Sequence, residues 1–203
     1  MNPLNSVSGS MITGFIAAII VIIICVALHM STGTFHELGV ARWFHILSGI
    51  TWIGLLYYFN LVQTPGLAAA AADKGGPGGA GITKYVAPRA LWWFRWSALA
   101  TWLMGAWYLL RDHHFASALT LGHGAQEQYG LIIGIGAWLG TIMLFNVWAL
   151  IWPNQKKILG IKPATDEEKA KARKTAGMAS RINFVLSIPM LLCMASASHG
   201  LPF

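Results

Sequence analysis

One histidine lies inside an apolar segment of this chain, where an ionisable side chain is unusual. His45 stands near the start of the run "ARWFHILSGITWIG", which continues without a formal charge. An ionisable residue within a membrane span is by default a functional candidate. Neutral imidazole nitrogens bind iron, copper and zinc, so we expect His45 to hold a metal-containing cofactor. The alternative is an interfacial histidine that only hydrogen-bonds a carbonyl.

The neighbours of His45 suit a porphyrin. Arg42 precedes it by three residues, so it lies on the same helix face, one turn closer to water, where it can pair with a propionate. Gly49 lies one turn deeper and leaves room for a flat macrocycle. Arg111 is the other cation of the same predicted membrane face, and it is assigned to the same site.

Composition predicts the elements that carry these residues. Of the 203 residues, 56% are hydrophobic and 10% charged, whereas a soluble domain has about a quarter charged residues. Apolar runs of about 20 residues are typical of membrane-spanning helices. We expect one all-α domain over 1–203, an integral membrane bundle of five transmembrane helices at about 11–28, 42–63, 89–110, 129–152 and 182–198. The charged segment before the last helix is expected to form a short surface helix.

The basic residues predict the orientation of this bundle. Eight of the fourteen Lys and Arg fall between Lys156 and Arg181, in one connection. Cytoplasmic connections carry excess Lys and Arg, so the N-terminus is expected in the cytoplasm and the C-terminus in the periplasm of a bacterial inner membrane. The expected partner of the chain is the lipid bilayer. A positive charge concentrated in one connection argues against nucleic-acid binding.

With this orientation the histidines gather at the outer face. His45, His113, His114 and His199 lie at the ends of three predicted helices, at a similar depth. Two imidazoles at one depth in a helical bundle are what a b-type haem requires. His113 and His114 are adjacent and point in different directions, so at most one of them is a ligand. The two cysteines lie outside any CxxCH pattern, which argues against a c-type haem.

A second polar group lies towards the cytoplasmic side. It consists of one cation, Arg95, and three amides, Asn60, Asn146 and Asn183. Buried arginine is costly in a bilayer unless it finds partners or extends to the headgroups. One interpretation is structural, with Arg95 extending to the interface and the amides bonding across helices. The other is a pocket for a substrate, an anion or a quinone-like ligand.

Four segments of the chain resemble a known family. They are "WFHILSGITWIGLLYYFNLVQTP", "LWWFRWSALATWLMGAWYLL", "NVWALIWPNQKKILG" and "INFVLSIPMLLCMASASHG". Together they are similar to the N-terminal membrane domain of the bacterial cytochrome-c-type urate oxidases. The resemblance implies a helical membrane oxidoreductase that passes electrons to cytochrome c. His45 and His199 match its histidine-bearing positions, which makes them the expected metal ligands. Arg95 falls where a basic residue is usual.

Two departures from that family are expected to matter for function. The sequence given contains no CxxCH, so the C-terminal cytochrome c domain of the family is not expected here, and "ASRINF" stands where family members carry a histidine. The preferred interpretation is a haem b protein for electron transfer, with cytochrome c or other redox-complex subunits as partners. One alternative is an oxidase of urate or another small reductant. The other is a haem-free accessory subunit of a respiratory or photosynthetic complex.

Overall fold

A computed structural model describes residues 2–30, 33–123 and 127–202, and every regular element in these ranges is helical. The chain divides into two compact units, the first ending at Glu37 and the second beginning at Leu38. The first unit contains a short 3₁₀ turn, Pro3–Asn5, and helix α1, Val7–Ala27. The Ser6 hydroxyl caps α1 by accepting a hydrogen bond from the Gly9 N–H at 3.0 Å.

The second unit holds the other four predicted helices. Its elements are α2 (Glu37–Ala72), α3 (Ala87–Arg111), the short α4 (Phe115–Leu119), α5 (Gln128–Ile158) and α6 (Asp166–His199). Each predicted segment is helical, but α2, α5 and α6 extend well beyond the predicted ends. The predicted all-α architecture is therefore confirmed.

Wide helical turns precede prolines in the described residues, and two of them explain why α2 and α5 continue beyond their predicted ends at 63 and 152. Tyr58–Gln63, Ile82–Val86 and Asn146–Ile151 are π-helical, and each ends one residue before an X-Pro step. In the first of them, the Thr64 N–H bonds to the Phe59 carbonyl, five residues back. The backbone hydrogen bonds have already changed from the i→i−4 to the i→i−5 pattern before Pro65, so the N–H that proline lacks removes no regular α-helical bond. The prediction that α2 ends at Gln63 is wrong.

The charged segment is not a separate surface helix, as the sequence analysis expected. It forms the first half of α6, which runs for 34 residues. The Thr165 hydroxyl accepts from the Glu168 N–H, and the Glu168 carboxylate accepts from the Thr165 N–H at 2.9 Å. This reciprocal cap starts the helix, and the Ala, Lys, Arg and Glu residues that follow are strong helix formers.

Four helices within the described residues are long and apolar enough to cross a membrane. They are Val7–Ala27, Glu37–Ala72, Gln128–Ile158 and Asp166–His199. The sequence analysis expected five spans, and α3 is not among these four. Its tryptophans and arginines lower its mean hydropathy, although it forms a helix close to the predicted bounds.

The core of the second unit lies where the middle parts of α2, α5 and α6 meet the first half of α3. Its centre is formed by Leu56, Phe94, Ala98 and Met143, all almost fully buried. The Phe59 and Phe94 rings meet edge to face at 5.4 Å. The close backbone approach between α2 and α6 is concentrated at the Tyr58–Gln63 turn. The first half of α2 is instead held to α3, and this arrangement positions the site described next.

Two glycines of α5 allow the short helix α4 to pack closely against it. A β-carbon at Gly134 would overlap the Ala118 carbonyl, and one at Gly130 would overlap the Ser117 hydroxyl. The Trp138 indole N–H also donates to the Leu119 carbonyl at 3.1 Å. The two helices therefore pack backbone to backbone, which fixes α4 beyond the end of α3.

Candidate functional site

The His45 imidazole is fixed by a hydrogen bond between α2 and α3. Its Nδ1 lies 2.8 Å from the backbone carbonyl oxygen of Thr101. A carbonyl oxygen only accepts, so Nδ1 is the donor and carries the proton of the neutral ring. Nε2 then keeps its lone pair. Metal-binding histidines commonly donate their second nitrogen to a carbonyl in this way, which fixes the tautomer and the ring orientation.

Gly105 makes room for this ring. A β-carbon built on Gly105 would lie 2.8 Å from Cε1 and 2.9 Å from Nδ1 of His45, closer than side chains approach. Thr101 and Gly105 are one turn apart on α3, so one face of that helix supplies both the hydrogen-bond acceptor and the space. The position of the imidazole thus depends on a glycine 60 residues away in the chain.

His45 lines a cavity of about 580 Å³ within the second unit. Binding sites for small molecules and cofactors measure roughly 300–1,000 Å³ and are mostly apolar. The walls come from all five helices of the unit, and they include Gly49 and Trp52 of α2, Trp102 of α3, Phe115 of α4, Ile133 of α5, and Met190 and Met194 of α6. The cavity therefore has the size and character of a site for a large, flat, apolar cofactor.

Polar groups line the cavity near the starts of α2 and α5 and the ends of α3 and α6. Arg42, Tyr108, Tyr129 and Ser198 all line it. The Arg42 guanidinium carbon lies 5.9 Å from the centre of the Tyr108 ring, a cation–π contact that holds the charge beside the cavity. Of the residues predicted around His45, the structure brings Arg42 and Gly49 together with it.

The other predicted histidines do not join His45. His199 is an exposed residue at the end of α6, although its neighbour Ser198 lines the cavity. His113 is exposed, and the His114 Nδ1 lies 3.0 Å from an Asp112 carboxylate oxygen. In the described residues from Leu38 onward, His45 is the one histidine in the cavity wall. The predicted ligand pair of His45 and His199 is therefore not brought together, and Arg111 also lies outside the wall.

The predicted inner group does not form a single pocket. The Asn146 amide donates to the Asn183 side-chain oxygen at 2.8 Å, and Asn183 donates to the Met143 carbonyl at 3.0 Å. Asn60 donates to the Ser180 hydroxyl at 2.9 Å and to the Leu56 carbonyl at 2.8 Å. These amides link α2 and α5 to α6 beside the wide turns.

Arg95 has a different partner from the amides. Its guanidinium carbon lies 3.7 Å from the centre of the Trp152 ring. This is a close cation–π stack, and the arginine remains partly exposed. The geometry favours the structural interpretation of the group over a shared anion pocket.

We expect Asn183→Ala to destabilise the protein by about 1–3 kcal/mol for the polar partners left unsatisfied in the core. Asn183 is fully buried, so neither the Met143 carbonyl nor the Asn146 amide can turn to water. Thermal unfolding of the detergent-solubilised chain would measure this as a loss of several degrees. Asn154→Ala is the matched control, since Asn154 bonds only the Leu150 carbonyl near the surface. Equal melting temperatures for the two variants would contradict the structural role.

Several site residues escaped sequence reasoning. Thr101 acts through its backbone carbonyl, and no feature of the sequence marks such a role. Gly105 did leave a signal, because a glycine inside a helix costs about 1 kcal/mol and often marks a close approach. Tyr108 and Tyr129 belong to no motif that the sequence analysis identified. Among the described residues, no three His, Cys, Asp or Glu side chains group to hold a metal ion.

Comparison with known protein families gives a match over the C-terminal part of the chain. The family model for the urate oxidase N-terminal domain matches residues 122–203, the part of the chain that contains α5 and α6. No curated protein and no solved structure matches the chain. The matched segment covers less than half of the chain and excludes His45 and α3. Over α5 and α6, the chain resembles the urate oxidase N-terminal domain, as its sequence predicted.

Proposed function

We propose that this chain is a multi-pass protein of a bacterial cytoplasmic membrane that binds b-type haem in the cavity beside His45 and serves electron transfer. The observation that carries the proposal is the fixed imidazole: Nδ1 donates to the Thr101 carbonyl, and the lone pair of Nε2 remains for iron. The cavity volume and its apolar walls fit a porphyrin.

The residues of the chain would hold the group as follows. His45 would supply the axial nitrogen, and Gly105 would keep its ring in place against α3. Arg42, at the polar end of the cavity, would pair with a propionate. The apolar walls would exclude water and so raise the strength of every charge interaction in the site. When bound, the haem supplies one-electron exchange at a potential that these surroundings tune.

The proposed orientation follows from the basic residues. The segment from Lys156 to Arg181 would face the cytoplasm, since it carries most of the cations of the chain. The cavity would then lie near the periplasmic side, within reach of a cytochrome c or of a neighbouring redox subunit.

We expect the purified protein to carry haem b. Absorption spectra of the oxidised and dithionite-reduced protein should show a Soret band and the α and β bands of a b-type cytochrome, and pyridine extraction should yield non-covalent protohaem. A colourless protein, purified from cells supplied with haem precursor, would overturn the proposal. That outcome would favour the haem-free accessory subunit.

A second candidate function is direct oxidation of a small reductant. The match of residues 122–203 to the urate oxidase N-terminal model favours it. Steady-state reduction of added cytochrome c by urate would separate the two functions, because a relay protein without a substrate site should not catalyse it. Membranes from cells that lack the chain provide the background rate.

A further inference from the structure

Part of the cavity wall beside His45 reaches the surface between α2 and α6. Near their middles the two helices are joined: the Tyr57 and Ser187 hydroxyl oxygens lie 3.2 Å apart, within hydrogen-bond distance, and the Tyr57 and Phe184 rings lie 4.9 Å apart. On the N-terminal side of Tyr57, α2 is instead hydrogen-bonded to α3, through the His45 side chain and the Thr101 carbonyl. A cleft therefore separates the N-terminal half of α2 from the C-terminal part of α6.

The side chains at this cleft both line the cavity and reach the surface. Ile50 of α2 is 66% exposed and Leu191 of α6 is 42% exposed, although both belong to the cavity wall. Gly54, between Ile50 and Tyr57, is exposed as well, and a β-carbon there would meet nothing within 4 Å. Every one of these residues is apolar or lacks a side chain. The opening consequently faces the surface that a bilayer would cover.

Helix α4 covers the end of the cavity beyond α3, although Leu119 there is 48% exposed. Phe115, Ala118 and Leu119 of α4 form its wall there. Gly130 and Gly134 let α4 pack directly on the backbone of α5, and the Trp138 indole holds the Leu119 carbonyl at 3.1 Å. A large flat ligand would have to break this packing to arrive from water. Between α2 and α6, around Ile50 and Leu191, it meets exposed apolar side chains.

We infer that the cavity takes up its porphyrin sideways from the bilayer, through the cleft between α2 and α6. The inference rests on the proposed membrane location and on the proposed occupant of the cavity. A protoporphyrin is flat and apolar with two carboxylates at one edge, so it partitions into the membrane with its ring in the hydrocarbon. In that orientation the ring passes between Ile50 and Leu191 while the carboxylates reach Arg42 at the polar end.

A pair of adjacent substitutions tests this route. Leu191→Trp places a bulky ring in the cleft, whereas Leu192→Trp places the same ring on a residue that is 46% exposed but outside the cavity wall. The full chain, in vesicles of neutral phospholipid, is mixed with metal-free protoporphyrin IX. Energy transfer from tryptophan to the porphyrin then reports the rate of uptake. Leu191→Trp should slow uptake by about tenfold, the effect of a barrier about 1.4 kcal/mol higher, and Leu192→Trp should match the wild type.

A second variant blocks the cleft from the other helix, so the test does not depend on correct folding of Leu191→Trp alone. Gly54→Leu fills the cleft from the opposite helix, at a position where the side chain has space, and it should also slow uptake. Equal rates in the wild type and all three variants would overturn the route. Equilibrium titration with haem, read at the Soret band, separates the two proposals. Haem binding with unchanged uptake rates refutes the cleft alone, while slower porphyrin uptake without haem ligation refutes only the role of His45.

Discussion

His45→Gly is expected to remove haem from the purified protein, and added imidazole is expected to restore it. The variant loses the proposed axial nitrogen, so the affinity for haem should fall by more than the roughly 10–100-fold that loss of a supporting contact costs. The ring it removes leaves a space beside Gly105 that free imidazole can occupy. The Soret absorbance per protein, measured with and without imidazole, checks both halves of this result.

His123→Ala is the control for this experiment. His123 is exposed and lies outside the cavity wall, so haem content should stay at the wild-type level. A His45→Gly protein that keeps its full Soret band would contradict ligation by His45. A haem-free variant that imidazole does not restore, but that unfolds at the same temperature as the wild type, would show that the ring is needed for something other than the iron bond.

Gly105→Ala is expected to lower haem affinity by about 10–100-fold while leaving every proposed ligand in place. Its new methyl group would stand 2.8 Å from Cε1 of His45, so the imidazole must turn away from the Thr101 carbonyl. Overpacking of this kind also costs about 1–3 kcal/mol of stability, despite the better helix propensity of alanine. Haem titration followed at the Soret band, together with a thermal melt, measures the two effects.

The matched control is another helical glycine. Gly177 lies on the exposed face of α6, and a β-carbon there would meet nothing within 4 Å. Gly177→Ala should therefore keep the haem affinity and raise stability by up to about 1 kcal/mol. If Gly105→Ala behaved in the same way as Gly177→Ala, the contact between His45 and α3 would not position the ring as described.

Hydrophobic runs predicted all five long helices, because a long apolar segment has few other ways to satisfy its backbone. The predicted end of α2 was wrong, because Pro65 was expected to stop the helix. The wide turn before Pro65 absorbs the missing N–H, and the proline alone does not distinguish such a turn from the end of a helix. Helix existence was thus predictable, whereas helix length depended on bonds that form only in the assembled unit.

The candidate site was predictable only in part. His45, Arg42 and Gly49 follow one another on a single helix face, so spacing alone could group them. The contact of His45 with Thr101 and Gly105 joins two helices, and its geometry follows from packing rather than from spacing. For the same reason the predicted pairing with His199 was not found, because similar depth in a bundle does not make two side chains face each other.

The unbroken length of α6 has a mechanical consequence. At 1.5 Å per residue its 34 residues form a rod about 51 Å long, well over the roughly 30 Å of a bilayer core. Its first turn carries acidic and basic groups, and its last turns form the cavity wall at Met194 and Ser198. Pro189 lies inside this helix, between the charged first half and the cavity wall that begins at Met190. Because a proline in a helix interior removes a hydrogen bond of the ladder, α6 can bend there, and the cavity wall can move without the charged half.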